Sequence, residues 1–163
     1  MIAKTLPLAG VESIPLPLTS CLPHRGDALF VQSAEVEGTS IRGEACWSAL
    51  HPVLQGHFPR QAIVPGVFLI EAAAQLGGVW IARSHKGRQG LGVLASVRKA
   101  LVHRIVMPDE RVRYELQLAA AGERFFSVRG HAYGSATAAD GRDAGDGKVL
   151  TIDLLIAVRA EQA

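Results

Sequence analysis

The sequence predicts an α+β domain in which an antiparallel β-sheet wraps around one long central α-helix. Three observations carry this. Residues 65–83 are apolar on nearly every helical face, which marks a helix surrounded by protein rather than lying on a surface. Segments before and after it alternate apolar and polar residues with the period of two that half-buried strands show. The connections are mostly short, so neighbouring strands pair antiparallel, and the sheet must curl to cover the helix. A single sheet does not easily enclose a helix this apolar, and pairing of two subunits would finish the enclosure.

The elements follow in chain order. Residues 1–20 read as an irregular lead-in, broken by Pro7, Pro15 and Pro17 and without the continuous apolar run of a signal peptide. Two short strands are expected over 28–37 and 39–48, separated by Gly38-Thr39. In the second, Ile41, Gly43, Ala45 and Trp47 alternate with Arg42, Glu44, Cys46 and Ser48. Residues 51–65 form a loop punctuated by Pro52, Gly56, Pro59 and Pro65. Pro65-Gly66 opens the helix, and Ser84 to Arg88, cationic with a glycine, closes it. Strands are then expected over 92–100, 111–118, 124–133 and 148–159. The small, polar, glycine-rich stretch 135–147 reads as a long flexible loop. No repeat or linker divides residues 1–163, so they form one domain.

Composition removes several function classes. The chain has 163 residues, enough for a real core, and its 48% apolar and 20% charged content is that of an ordinary globular protein. A net charge of +2 without a Lys/Arg run or an aromatic-plus-basic stripe gives no footing for nucleic acid. Cys21 and Cys46 stand apart, as reduced thiols of a cytoplasmic protein do. The six histidines are scattered and no His-Glu-x-x-His helix occurs, so no metal is expected. Residues 62–82 are long enough to span a bilayer, but Pro65 divides them, and Glu71 and Gln75 would lie near mid-membrane. A carboxylate there costs about 2.5–3.5 kcal/mol on the lenient insertion scale, so a helix inside a protein fits better.

The chemistry concentrates around the helix. Glu71 is its one interior carboxylate, and Gln75 lies one turn later on the same face. The neighbours three and four residues away are Val67, Phe68, Ala74 and Gln75, so no counter-charge exists within the helix. A buried acid in that setting is either functional or held by backbone groups or Gln75. His57 sits in the stiff loop Gly56-His57-Phe58-Pro59 ahead of the helix. Alone, such a histidine is more often structural. Paired with Glu71 across an apolar pocket it makes an acid–base couple suited to neutral pH. Pro65-Gly66 adds exposed backbone N–H groups at a helix N-terminus, able to polarise a carbonyl oxygen, although ordinary helix initiation explains the same dipeptide.

At these residues the sequence resembles a family. GHFPRQAIVPGVFLIEAAAQ, residues 56–75, is similar to the signature of bacterial 3-hydroxyacyl-acyl-carrier-protein dehydratases of the FabZ/FabA type. Leu22-Pro23-His24-Arg25 upstream and residues 97–109 downstream extend the likeness over roughly 20–133. The resemblance implies a hot-dog fold, with the sheet wrapped around the helix, and a homodimer or trimer of dimers whose sites combine the histidine of one subunit with the acid of the other. Carried over by position, His57 and Glu71 are the catalytic pair, and Gly66 supplies the N–H for the thioester carbonyl. Val67, Gln75 and Phe58 complete the substrate-binding set, with Gln75 expected to hold the Glu71 carboxyl in place. Glu rather than Asp at position 71 points to the FabZ-like side, with dehydration and no isomerisation. No metal or organic cofactor is implied.

The chain also departs from the family pattern. Phe30-Val31-Gln32-Ser33 stands where many members carry Asp-Arg, and Arg60-Gln61-Ala62 replaces Gly-x-Pro. These changes and the 135–147 insertion bear on acyl-chain length and on pathway, fatty-acid or specialised polyene and polyketide assembly. The alternatives on the same fold are an acyl thioesterase and a non-catalytic acyl-thioester-binding protein. The implied partner is an acidic acyl carrier protein, for which two cationic clusters offer docking surfaces. One comprises Arg83, His85, Lys86 and Arg88. The other, preferred because it lies within the family-like stretch, is built on Arg98, Lys99 and Arg104 together with His103.

Overall fold

A computed structural model describes residues 12–14, 18–84, 91–137 and 143–159. Seven strands form one antiparallel sheet: β1 (Glu12–Ile14), β2 (Val31–Glu37), β3 (Ser40–Ala45), β4 (Leu91–Val102), β5 (Val112–Ala120), β6 (Phe125–Thr137) and β7 (Asp143–Arg159). Their order across the sheet is β1-β2-β3-β5-β6-β7-β4. A short helix, α1 (Pro52–Gly56), precedes the long helix α2 (Gly66–Ser84), which the sheet wraps. This is the hot-dog arrangement expected from the sequence. No helix among the described residues is long and apolar enough to cross a membrane.

The period-two patterns do what they predict. Ile41, Gly43, Ala45 and Trp47 face inward from β3 and its continuation, and Val112, Tyr114, Leu116 and Leu118 do so from β5. Leu69, Ala72, Ala73, Leu76 and Val79 of α2 meet them in the core. Each large apolar side chain buried there contributes about 1.5–3 kcal/mol. Helix and sheet approach closely at Gly77, where a Cβ would lie 2.5 Å from Ile156 Cδ1. The Tyr114 hydroxyl donates to the Leu69 carbonyl at 3.1 Å, tying β5 to the helix. Burial pushes this phenol far above its usual range, so it stays a donor.

Two expectations change. Within the expected loop, residues 135–137 and 143–147 are strand: β6 runs to Thr137 and β7 begins at Asp143, with Ser135 opposite Asp146 and Thr137 opposite Asp143, while 138–142 lie outside the described residues. Glycine and small polar residues argue for a loop through propensity, but an antiparallel ladder needs only backbone donors and acceptors, and the hairpin already in register carries it outward. Within the lead-in, residues 12–14 form β1 against β2, again through backbone pairing. As expected of a single sheet, one chain does not enclose α2 completely. Val67 is 65% exposed, and Ile70, Glu71, Ala74 and Gly78 on the same face are only half-buried.

Candidate active site

The loop carrying His57 is fixed at both ends. Pro52 starts α1, where its missing N–H costs nothing, and the His51 ring accepts the Val53 N–H as a cap. Fully buried Leu54 anchors the helix, and the His57 N–H closes it by donating to the Leu54 carbonyl. The His57 carbonyl then accepts the Ile63 N–H at 2.9 Å, while Phe58 and Gln61 exchange two backbone hydrogen bonds. The imidazole stacks on Phe58, with ring centroids 4.4 Å apart. Its Nδ1 lies 3.2 Å from the Ile63 carbonyl oxygen. A carbonyl only accepts, so the neutral ring carries its proton on Nδ1 and leaves Nε2 as the basic nitrogen.

Downstream, the Val64 N–H donates to the Val106 carbonyl, and Pro65 leads into the first turn of α2. Phe30, Trp47, His51 and Phe68 pack edge-on and tilted around this turn, with Phe30 and Phe68 centroids 4.6 Å apart. The N–H groups of Gly66 and Val67 belong to the helix start and have no acceptor inside the helix, where the dipole favours developing negative charge. A Cβ on Gly66 would touch Val102, placing the helix start beside the end of β4. Phe58 and Val67 are both more than half exposed, as residues lining an open surface are.

Glu71 is neither fully buried nor unpartnered, which corrects the picture of an isolated interior acid. Its side chain is 37% exposed, and its Oε1 receives two contacts: Gln75 Nε2 donates at 3.0 Å, and His24 Nε2 lies at 3.2 Å. Gln75 is 1% exposed, and every polar atom of its amide is engaged. Oε1 accepts the Phe30 and Val31 N–H groups, and Nε2 donates to the Ala28 carbonyl at 2.7 Å as well as to Glu71. The backbone partners fix which end is oxygen. The Gln75 amide thus braces Glu71 from behind, with its other bonds going to the backbone of residues 28–31. Sequence reasoning assigned no role to His24, although Leu22-Pro23-His24-Arg25 had already marked its segment.

Within one chain no hydrogen bond joins His57 to Glu71; each has its own partners. Among the expected docking cations, Arg98 pairs with Asp153 at 2.8 Å and remains 41% exposed. Lys99 lines a groove of about 550 Å³ on the sheet with Arg42, Arg129 and His131. Arg104 differs: its guanidinium donates to both Glu110 oxygens and to the Gly134 carbonyl, so it holds the β4–β5 turn. Of the other cluster, His85, Lys86 and Arg88 lie outside the described residues.

A family model described as "FabA-like domain" matches residues 29–144. A 3-hydroxyacyl-[acyl-carrier-protein] dehydratase FabZ of Chloroflexus aggregans is 36% identical over 76% of this chain and 84% of its own length. The FabZ of Pelotomaculum thermopropionicum is 35% identical over 69% of this chain and 81% of its own. Among solved structures, the dehydratase heterocomplex ApeI:P from Xenorhabdus doucetiae superposes with a TM-score of 0.70 at 21% identity, covering 91% of this chain and 94% of that one, which speaks to the fold.

The Gln75 network gives a stability prediction. Gln75→Leu keeps the volume but takes the side-chain acceptor away from the buried Phe30 and Val31 N–H groups. Each buried group left without a partner costs about 1–3 kcal/mol. The denaturation midpoint should fall by the equivalent of about 2–4 kcal/mol with an unchanged m-value, and a midpoint at the wild-type position would contradict the network.

Proposed function

This chain belongs to the FabA-like family and to its 3-hydroxyacyl-[acyl-carrier-protein] dehydratases, and on that premise we propose how its own residues divide the reaction. The enzyme removes water from a 3-hydroxyacyl thioester to give the trans-2-enoyl thioester, a step of fatty-acid synthesis. The Gly66 N–H, at the positive end of α2, hydrogen-bonds the thioester carbonyl and acidifies C2. His57 Nε2 takes the C2 proton, and the electrons of that C–H bond form the C2–C3 double bond. The C3–O bond breaks with its pair, the departing oxygen takes a proton from Glu71, and water leaves. Transfer of a proton from His57 back to Glu71 resets the pair. The bond between His57 Nδ1 and the Ile63 carbonyl is the observation that most supports this assignment, because it leaves Nε2 as the base.

The working unit is a homodimer acting in the cytoplasm, with His57 of one protomer facing Glu71 of the partner subunit. Two observations support it. β4 is an edge strand of the sheet, and its Leu91, Leu94, Val97, Leu101 and Val102 are each 41–49% exposed. A long apolar edge of this kind is a liability unless covered. The open stripe of α2 through Val67, Ile70 and Glu71 also needs a cover that the chain itself lacks. An acidic acyl carrier protein presents the substrate, docking near Lys99 and Arg98 on that edge strand.

His57→Ala and Glu71→Gln should each lower kcat about 10²–10⁴-fold while remaining folded. Mixing the two inactive variants should restore activity, since about half of randomly exchanged dimers regain one site with both groups. No recovery after verified subunit exchange would place both groups in one chain. Lys99→Glu and Arg98→Glu should slow turnover of carrier-bound substrate, most at low salt, and spare a small N-acetylcysteamine thioester. Equal losses on both substrates would refute docking at these residues.

A further inference from the structure

We propose that His24 is a positioning residue of this dehydratase, holding Oε1 of Glu71 so that Oε2 is the oxygen presented to the substrate. The proposal rests on the assignment of Glu71 to the C3 hydroxyl and adds a residue ahead of the stretch 29–144 that the family model matches.

His24 is brought to Glu71 by a segment built for the purpose. Leu18 and Leu22 are buried at 1% and 4% exposure, and they dock residues 18–25 onto the core. The contact with α2 is at Gly78, where a Cβ would come within 3.0 Å of Leu22 Cδ2, so the missing side chain lets the segment sit against the helix. Arg25 then gathers the chain into a compact turn, donating to the carbonyls of Thr19, Leu22 and His24 at 3.2, 2.7 and 2.7 Å. The imidazole lands with Nε2 at 3.2 Å from Glu71 Oε1.

The ring's protonation follows from its surroundings. His24 Nδ1 is buried and makes no hydrogen bond among the described residues. A proton there would be an orphaned buried donor, whereas a proton on Nε2 has the Glu71 oxygen to receive it. His24 therefore turns its protonated nitrogen toward Oε1 at ion-pair distance, beside the Gln75 hydrogen bond to the same atom. Two N–H groups facing one oxygen oppose its protonation and hold the carboxyl in place. The other oxygen, Oε2, is then the one that carries or receives a proton and meets the leaving hydroxyl. Gln75 alone would leave the carboxyl free to turn about that one bond. Misplacing a reacting group by about 1 Å costs on the order of 10²-fold, which is the scale on which such a brace acts.

The test compares His24→Ala, His24→Gln and Glu71→Gln in the full chain, alone and combined, with kcat, KM and melting temperature measured for each. His24→Ala should lower kcat about 10- to 100-fold with KM within about twofold of wild type. His24→Gln, whose amide nitrogen replaces the Nε2 donor, should recover most of that loss. In the Glu71→Gln background, His24→Ala should cause no further loss, because the brace then has nothing to position. Wild-type kcat in His24→Ala, or equal losses in the Ala and Gln variants with both folded, would overturn the proposal. Additive losses on the Glu71→Gln background would overturn it as well. If His24→Ala does not fold, the His24→Gln variant and the double variant with Glu71→Gln decide the matter. A Glu71→Gln enzyme with normal turnover would instead remove the underlying assignment of Glu71, whatever His24 does.

Discussion

Gln75 sits one turn beyond Glu71 on a helix otherwise lined with Ala, Gly and Leu, and its buried amide joins three parts of the molecule. It accepts from the backbone where β2 begins, donates to the turn ahead of that strand, and donates to the candidate acid. A polar side chain at this depth is tolerated only when every atom is satisfied, and complete satisfaction is also what makes it rigid. The consequence reaches the site: Glu71 cannot shift without disturbing the bonds that seat the sheet on the helix. The same network also fixes the helix rotation, and with it the direction in which Gly66 and Val67 point.

A second constraint is geometric. The sheet curls around α2 from β2 to β7, yet leaves Val67, Ile70 and Glu71 on an uncovered stripe and leaves β4 as an apolar edge. The acid lies on that stripe, and the base lies in a loop with its own backbone partners and no bond to the acid. In the proposed dimer the surface that needs covering is also the one that reacts: a second copy would cover the apolar stripe and bring His57 of one protomer to Glu71 of the other.

How much was legible in the sequence depended on how local the cause was. The alternation of Ile41, Gly43, Ala45 and Trp47 gave β3 its facing, and Pro65-Gly66 gave α2 its start, because period and turn chemistry act over a few residues. The pairing of residues 135–137 with 143–147 was hidden, since these strand ends are held by backbone pairing that side-chain propensity does not record. Glu71 and Gln75 were visible as a pair one turn apart, but not the bonds from Gln75 to residues 28–31, which cross more than forty positions. His24 was hidden for the same reason: its contact depends on Leu22 docking at Gly78, a three-dimensional fact. Arg104 read as a surface cation because Glu110, six residues away across a turn, gives no helical or strand signature.

The chain, as a 3-hydroxyacyl-[acyl-carrier-protein] dehydratase, eliminates water and leaves the thioester intact. Incubating the wild-type protein with a 3-hydroxyacyl thioester of an acyl carrier protein, and following the intact acyl-carrier mass, tests it most directly. The carrier should lose one water from its acyl group and keep the thioester bond. Release of a free 3-hydroxy acid, or a bound substrate whose mass never changes, would contradict it.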